Sequence, residues 1–160
     1  MSLIEVKGLK KSYGDVHAVR GVDLEIAQGE IFSLLGPNGA GKTTTVEILE
    51  GFRTRDAGTV SVLGFDPQSR GHQSREWRNR IGIVLQSSAD AGDLTVLVTV
   101  EHFSGYYSNP RKVDEVIYAV GLVEKESALI RTLSGGQRRR LDVALGIVGN
   151  PELLFLDEPT

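Results

Sequence analysis

The sequence predicts an α/β protein with a parallel-sheet core, an antiparallel β-subdomain ahead of it and a helical subdomain inserted into it. Three observations carry that expectation. Short, nearly continuous apolar runs at 31–36 (IFSLLG), 81–86 (IGIVLQ) and 152–157 (ELLFLD) have the composition of strands buried on both faces of a parallel sheet. The N-terminal segments instead alternate apolar and polar residues, as half-buried antiparallel strands do. From Thr99 to about Val148 the pattern becomes helical and is broken by glycines.

Taken in order, LIEVKGL places Ile4 and Val6 on one face, and VDLEI does the same with Val22, Leu24 and Ile26. The buried run at 31–36 then leads into a helix from Lys42 to Leu49. TVSVLGF is another half-buried strand, and the polar stretch from His72 to Arg80 reads as a helix in which Trp77 packs. Between Pro110 and Gly121, the residues Val113, Val116, Ile117 and Val120 recur at helical spacing, with Asn109 placed to cap and Pro110 at the first helical position. A further helix runs from about Gly135 to Val148, with Leu141, Ala144, Leu145 and Val148 on one stripe, until Asn150-Pro151 ends it. The expected division is residues 1–88 for the β-subdomain and loop-bearing core, 89–148 for the helical subdomain and 149–160 for the last strand.

Composition narrows the function. With 18 basic and 21 acidic residues the formal net charge is -3, so no global basic field favours nucleic acid or an acidic membrane. An anionic ligand must be held locally. The absence of cysteine excludes disulfides and thiolate metal sites. The N-terminus has no basic region followed by an apolar signal core, and no uncharged apolar run approaches the ~18 residues of a membrane span.

The chemistry concentrates in three places. GPNGAGKTT, comprising Gly36, Pro37, Asn38, Gly39, Ala40, Gly41, Lys42, Thr43 and Thr44, matches G-x-x-x-x-G-K-[ST] directly after a buried run and at the start of a helix. Its glycines let backbone N–H groups curl around an anion, the helix N-terminus adds positive potential, Lys42 reaches the outer phosphates and the Thr43 hydroxyl suits Mg²⁺. LLFLDEP then delivers Asp157 and Glu158 from a strand end. Adjacent carboxylates there ask for a cation or a proton: Asp157 would hold the metal and Glu158 would take the proton of an attacking water. LSGGQRRR supplies the third place, a second anion-ready helix start at Ser134, Gly135, Gly136 and Gln137.

GPNGAGKTT, LSGGQ and LLFLDEP in that order, with Gln86 closing the run between the first two, resemble the nucleotide-binding domain of the ATP-binding cassette (ABC) family over essentially the whole chain. The resemblance implies a P-loop nucleoside triphosphatase core of RecA-like type that binds ATP and Mg²⁺. Tyr13, in KSYG, matches the aromatic that stacks on adenine, and Gln86 matches the glutamine that touches Mg²⁺ and the attacking water and senses a membrane partner. Ser134, Gly135, Gly136 and Gln137 match residues that bind the γ-phosphate of ATP held by another subunit. The implied assembly is a head-to-tail homo- or heterodimer of nucleotide-binding domains that closes on ATP and opens after hydrolysis. The implied partner is a transmembrane permease subunit or domain, which places the chain in the cytoplasm, peripheral on the inner face of the cell membrane. No nucleic-acid partner is expected.

GFRTRDAGTVSVLGFDP and DLTVLVTVEHF look like the ATPases of bacterial drug or polysaccharide exporters, although Val98 stands where that pattern leads one to expect glutamate. Family members continue past the second acid with an aspartate loop and a later histidine, whereas His17, His72 and His102 all precede Ser134. The expectation is therefore an N-terminal portion of a longer ATPase that binds ATP–Mg²⁺ weakly and hydrolyses it poorly by itself. A translation- or DNA-repair-type cassette ATPase, or a non-catalytic nucleotide-binding module, is the alternative reading. A chromosome-maintenance type is disfavoured by the compact segment between Lys42 and Ser134.

Overall fold

The structure is a computed structural model that describes residues 2–84 and 92–156. It divides into two compact units, 1–77 and 78–160.

In the first unit, β1 (Ser2–Tyr13) and β2 (Val16–Ala27) form an antiparallel hairpin joined by Gly14 and Asp15. The next helix, α1 (Lys42–Leu49), packs on β2, and β3 (Ala57–Val62) pairs antiparallel with the other edge of β1. The sheet order is β2-β1-β3. Alternation dictates what it buries: Ile4, Val6 and Leu9 of β1 pack with Ile26, Val60 and Val62, while Glu5 and Lys7 face out. The register Ile4↔Ile26 and Val6↔Leu24 keeps the apolar set on one face, because a one-residue slip would turn it to solvent. Arg55 makes a fork to Asp66 at 2.7 and 2.6 Å and closes the segment around β3. Helix α2 (His72–Arg78) carries Trp77, which is buried as expected and lies against Gly51, just past the end of α1.

The run at 31–36 is a correction. Residues 30–37 form neither strand nor helix, and Ile31 and Leu35 are 98% and 87% exposed. A strand exists through its neighbours' hydrogen bonds. Among the described residues the ladders join β1 only to β2 and β3, and in the second unit β4 (Ile81–Val84) only to β5 (Leu153–Leu156). The apolar composition of 31–36 is real, but no ladder is formed on it.

The second unit holds the parallel pair, with Ile81 opposite Leu153 and Val84 opposite Leu156. Arg80 and Glu152 pin its start through a fork at 2.6 and 2.9 Å, and that hydrogen bonding holds the Glu152 carboxyl below the usual carboxylate range. Parallel strands need a long crossover, and here it contains α3 (Val96–Ser104), α4 (Val113–Ala119) and α5 (Gly135–Ile147). Val96 and Val100 of α3, Val116 and Ile117 of α4, and Leu141, Ala144 and Val148 of α5 and its cap make one apolar core. Helix α5 also lies against β4, where Gly82 and Gly146 allow close backbone approach.

Two helix starts differ from expectation. Helix α4 begins at Val113, three residues after Pro110, and its cap is Lys112 in place of Asn109. The Arg111 N–H donates to the Val148 carbonyl at 2.8 Å, so this residue is bound to the end of α5 and does not enter a helical turn. Helix α3 begins at Val96, earlier than Thr99, because the Thr95 side chain caps it by accepting from the Val98 N–H. Val98 is thus the third residue of the helix, where glutamate would return the bond to the cap's own N–H. We expect Val98→Glu to stabilise the second unit by about 0.5–1 kcal/mol, read from the denaturation midpoint. No gain would mean that the exposed valine packs on something the capping bond cannot replace.

Candidate phosphate and nucleotide site

The glycine loop is built by turns and one close approach. Ala40 donates its N–H to the Pro37 carbonyl at 3.2 Å, and Gly39 and Gly41 both lie at φ 81°, where side chains are disfavoured. Gly41 is also pressed against β2, since a Cβ there would stand 2.2 Å from the Ala18 carbonyl oxygen and 3.3 Å from a Val19 methyl. Nothing lies within 4 Å of a Cβ at Gly39, so that position is open. Helix α1 starts immediately afterwards, with the Thr45 N–H and hydroxyl both donating to the Gly41 carbonyl at 2.9 and 2.8 Å.

Gly36, Pro37, Asn38, Gly39, Ala40 and Thr43 are exposed, Thr44 is half-buried and Thr45 is buried. The first-turn N–H groups have no partner within the helix, so the loop presents donors and the positive end of a helix to solvent. Lys42 Nζ folds back onto the loop and donates to the carbonyl oxygens of Gly36 at 2.5 Å and Pro37 at 2.8 Å. Chemically, the loop can surround a phosphate chain with backbone N–H groups and bring one ammonium to it.

Tyr13 ends β1, opposite Val16 at the hairpin turn, and is 41% exposed. Two cations stand over its ring, Lys11 Nζ at 5.5 Å from the centroid and the Arg53 guanidinium at 5.6 Å. Lys11 is paired with Asp56 at 2.9 Å, and the other Asp56 oxygen accepts from the Ser12 N–H at 2.7 Å. Arg53 is paired with Glu47 of α1, whose hydrogen bond and charge raise the guanidinium's pKa and keep it protonated. Sequence reasoning missed Arg53 and Glu47. They are six residues apart across a helix end, a spacing outside the i,i+3 and i,i+4 pairs that helix patterns reveal.

In the second unit, Ser134 caps α5 through a complete capping box. Its hydroxyl oxygen accepts from the Gln137 N–H at 3.2 Å, and Gln137 Oε1 accepts from the Ser134 N–H at 2.9 Å. The box occupies one acceptor on each side chain and leaves the Ser134 O–H and the Gln137 amide N–H groups as donors. Gly135 and Gly136 are exposed, and a Cβ on either would meet nothing within 4 Å. Neither glycine is needed for packing among the described residues. Gln86, Asp157 and Glu158 lie outside the described residues, among which no group of three or more His, Cys, Asp or Glu is placed to hold a metal ion.

Comparison with known proteins agrees with this layout. A family profile described as "ABC transporter" matches residues 19–160. The chain is 41% identical over 162 residues to a Nod factor export ATP-binding protein I of Rhizobium sp. (strain N33), covering 98% of this chain and 52% of that protein. It is 42% identical over 162 residues to the daunorubicin/doxorubicin resistance ATP-binding protein DrrA of Streptomyces peucetius, covering 98% of this chain and 48% of that protein. It is similar in structure to cbiO1 from Clostridium perfringens, described as part of an ABC transporter complex, with TM-score 0.87, 28% identity, 99% of this chain and 66% of that one. A dimeric ATP-binding cassette in a post-hydrolysis state bound to ADP and Pi gives TM-score 0.83 at 26% identity, over 98% of this chain and 74% of that one. The chain spans about half the length of the curated relatives it matches.

Proposed function

The chain belongs to the ABC transporter family, and on that premise we propose that it is the ATP-binding and ATP-hydrolysing part of a subunit that powers export through a membrane partner. The observation that carries the reading is the loop at 36–44, with donors exposed, Gly41 locked against β2 and Lys42 at the helix start. The names of the export and drug-resistance relatives supply the direction of transport. No helix among the described residues is long and apolar enough to cross a membrane. Passage through the bilayer is assigned to a transmembrane permease subunit or domain, a reading supported by relatives that are named ATP-binding proteins of export and resistance systems. The working place follows as the cytoplasmic face of the membrane.

In this reading residues 1–88 hold the base and phosphates, 89–148 carry the trans-acting helix start, and 149–160 bring the acids. Tyr13 stacks on adenine. Backbone N–H groups of residues 36–44 wrap the phosphates, and Lys42 exchanges its carbonyl partners for β- and γ-phosphate oxygens. Thr43, Gln86 and Asp157 would hold Mg²⁺. The Thr43 hydroxyl fits, being a hard oxygen donor exposed in the first turn of α1, and Mg²⁺ takes few protein ligands when phosphates supply the others. Bound there, Mg²⁺ offsets charge on the phosphates and polarises them toward attack.

Glu158 accepts a proton as water oxygen attacks the γ-phosphorus, the bond to the bridging oxygen breaks, and ADP leaves with that oxygen. Ser134 O–H, the N–H groups of Gly135 and Gly136, and the Gln137 amide donate to the γ-phosphate held by a second subunit. A head-to-tail dimer with two ATP molecules between its subunits is the corresponding assembly, and its opening after hydrolysis drives the permease.

The test is MgATP binding and phosphate release with the full-length protein. Lys42→Ala should weaken MgATP binding by at least tenfold and remove turnover, while Glu158→Gln should lower turnover by 100-fold or more and leave MgATP binding intact. Undiminished hydrolysis in Lys42→Ala would sink the reading. Undiminished hydrolysis in Glu158→Gln would remove Glu158 as the base.

A further inference from the structure

A side chain that the nucleotide reading does not use connects the aromatic platform to the phosphate-loop helix. We propose that Arg53 is a positioning residue for the base: anchored on Glu47 of α1, it holds the Tyr13 ring in place for a purine. The inference rests on the nucleotide reading above and adds to it a residue that acts on the base half of the ligand alone.

The geometry has three links. Tyr13 sits at the end of a strand, beside a two-residue turn, with two-fifths of its surface in solvent, so its backbone neighbours restrain the ring only weakly. The Arg53 guanidinium stands 5.6 Å from the ring centroid, within cation–π range. Both Glu47 carboxylate oxygens accept from Arg53, Oε2 from Nε and Oε1 from an Nη at 3.5 Å.

The anchor is backbone as well as side chain. The N–H groups of Phe52 and Arg53 both donate to the Glu47 carbonyl, at 2.9 and 3.1 Å, so the turn after α1 is tied to the helix at the residue that fixes the guanidinium. Glu47 lies five residues after Lys42 on the same eight-residue helix. The platform for the base and the ammonium for the phosphates are therefore linked through α1. Lys11 also stands over the ring, but it comes from β1 itself and is held by Asp56, so it adds no link between strand and helix. A planar, permanently charged fork suits this position better than lysine, because two of its N–H groups can bond the carboxylate while its charge stands 5.6 Å from the ring centroid.

The test compares MgATP with Mg-tripolyphosphate, which carries the phosphates without a base, on the full-length protein by titration calorimetry. Arg53→Met keeps most of the side-chain length and removes the charge. We expect it to weaken MgATP about fivefold while tripolyphosphate affinity stays within a factor of two, a loss of the size an exposed cation–π contact supplies. Glu47→Gln should give a smaller loss in the same direction, and Arg53→Lys should recover part of it. In a Tyr13→Ala background, Arg53→Met should cost nothing further.

Equal losses for both ligands would overturn the inference by assigning Arg53 to the phosphates or to folding. Additive losses with Tyr13→Ala would overturn it too. A wild-type protein that binds neither ligand would bring down the nucleotide reading itself, whereas one that binds both equally well would remove Tyr13 as a platform and the inference with it.

Discussion

Gly41→Ala is expected to reduce MgATP affinity by 100-fold or more while the protein keeps its helical circular dichroism. Two costs act at once. At φ 81° an alanine sits in the left-handed region, which costs roughly 1–2 kcal/mol. Its Cβ would also lie 2.2 Å from the Ala18 carbonyl oxygen, inside any tolerable contact. Ala18 is the unpaired residue of a β-bulge in β2, and its carbonyl is held between the flanking pairs Lys11↔Val19 and Ser12↔His17. The loop must therefore move, and its N–H groups lose their aim at the ligand. Gly39→Ala is the internal comparison. It has the same φ of 81° but no neighbour within 4 Å, so it should lose only about tenfold, the conformational cost alone. Calorimetric titration of both variants checks the pair, and a Gly41→Ala affinity within threefold of wild type would contradict the packing described for the loop.

Gly82→Ala should destabilise the second unit by about 3 kcal/mol, near the upper end for overpacking, as measured by urea denaturation. A Cβ at Gly82 would meet the Gly146 carbonyl oxygen at 2.1 Å, Leu154 at 2.8 Å and Pro151 at 2.9 Å. The first of these is helix backbone, so relief requires α5 to lift from β4. Gly146→Ala should cost less, because its nearest contact is a Val84 methyl at 2.5 Å, which can rotate or shift. Gly136→Ala should leave the fold at least as stable, since helix propensity favours alanine by about 1 kcal/mol and nothing stands in its way. If Gly82→Ala unfolds at the wild-type midpoint, the close approach of helix to strand is not what holds this unit together.

Local rules made much of the fold legible. The alternation of Ile4, Val6 and Val22 to Ile26 encodes the faces of the first hairpin, and the lysine-bearing glycine loop announces the start of α1. The helix start at Ser134 was readable too, whereas the return bond from Gln137 that completes its capping box came from the structure. What escaped depends on contacts between distant segments. The run at 31–36 has the composition of a buried strand, but composition does not report whether a neighbour forms a ladder with it. The start of α4 is set by the Arg111 bond to Val148, and nothing near residue 111 signals a helix end 37 residues on. Arg53 meets Tyr13 only because a hairpin end and a helix end arrive at one place. In the candidate site, the phosphate loop was legible as a motif, whereas the reason that Gly41 must be glycine lies in β2.

Substitution of Lys42 changes more than one charge. Its ammonium is not waiting in solvent: it is bonded to two carbonyls of the loop it serves. Under the proposed function, a phosphate group would compete with these two carbonyls for the ammonium. An alanine at 42 would therefore also release the two carbonyl oxygens that Lys42 holds. Lys42→Ala is thus a change to the loop's own hydrogen bonding as well as to its charge, and faster amide exchange across residues 36–44 is the signature expected of it.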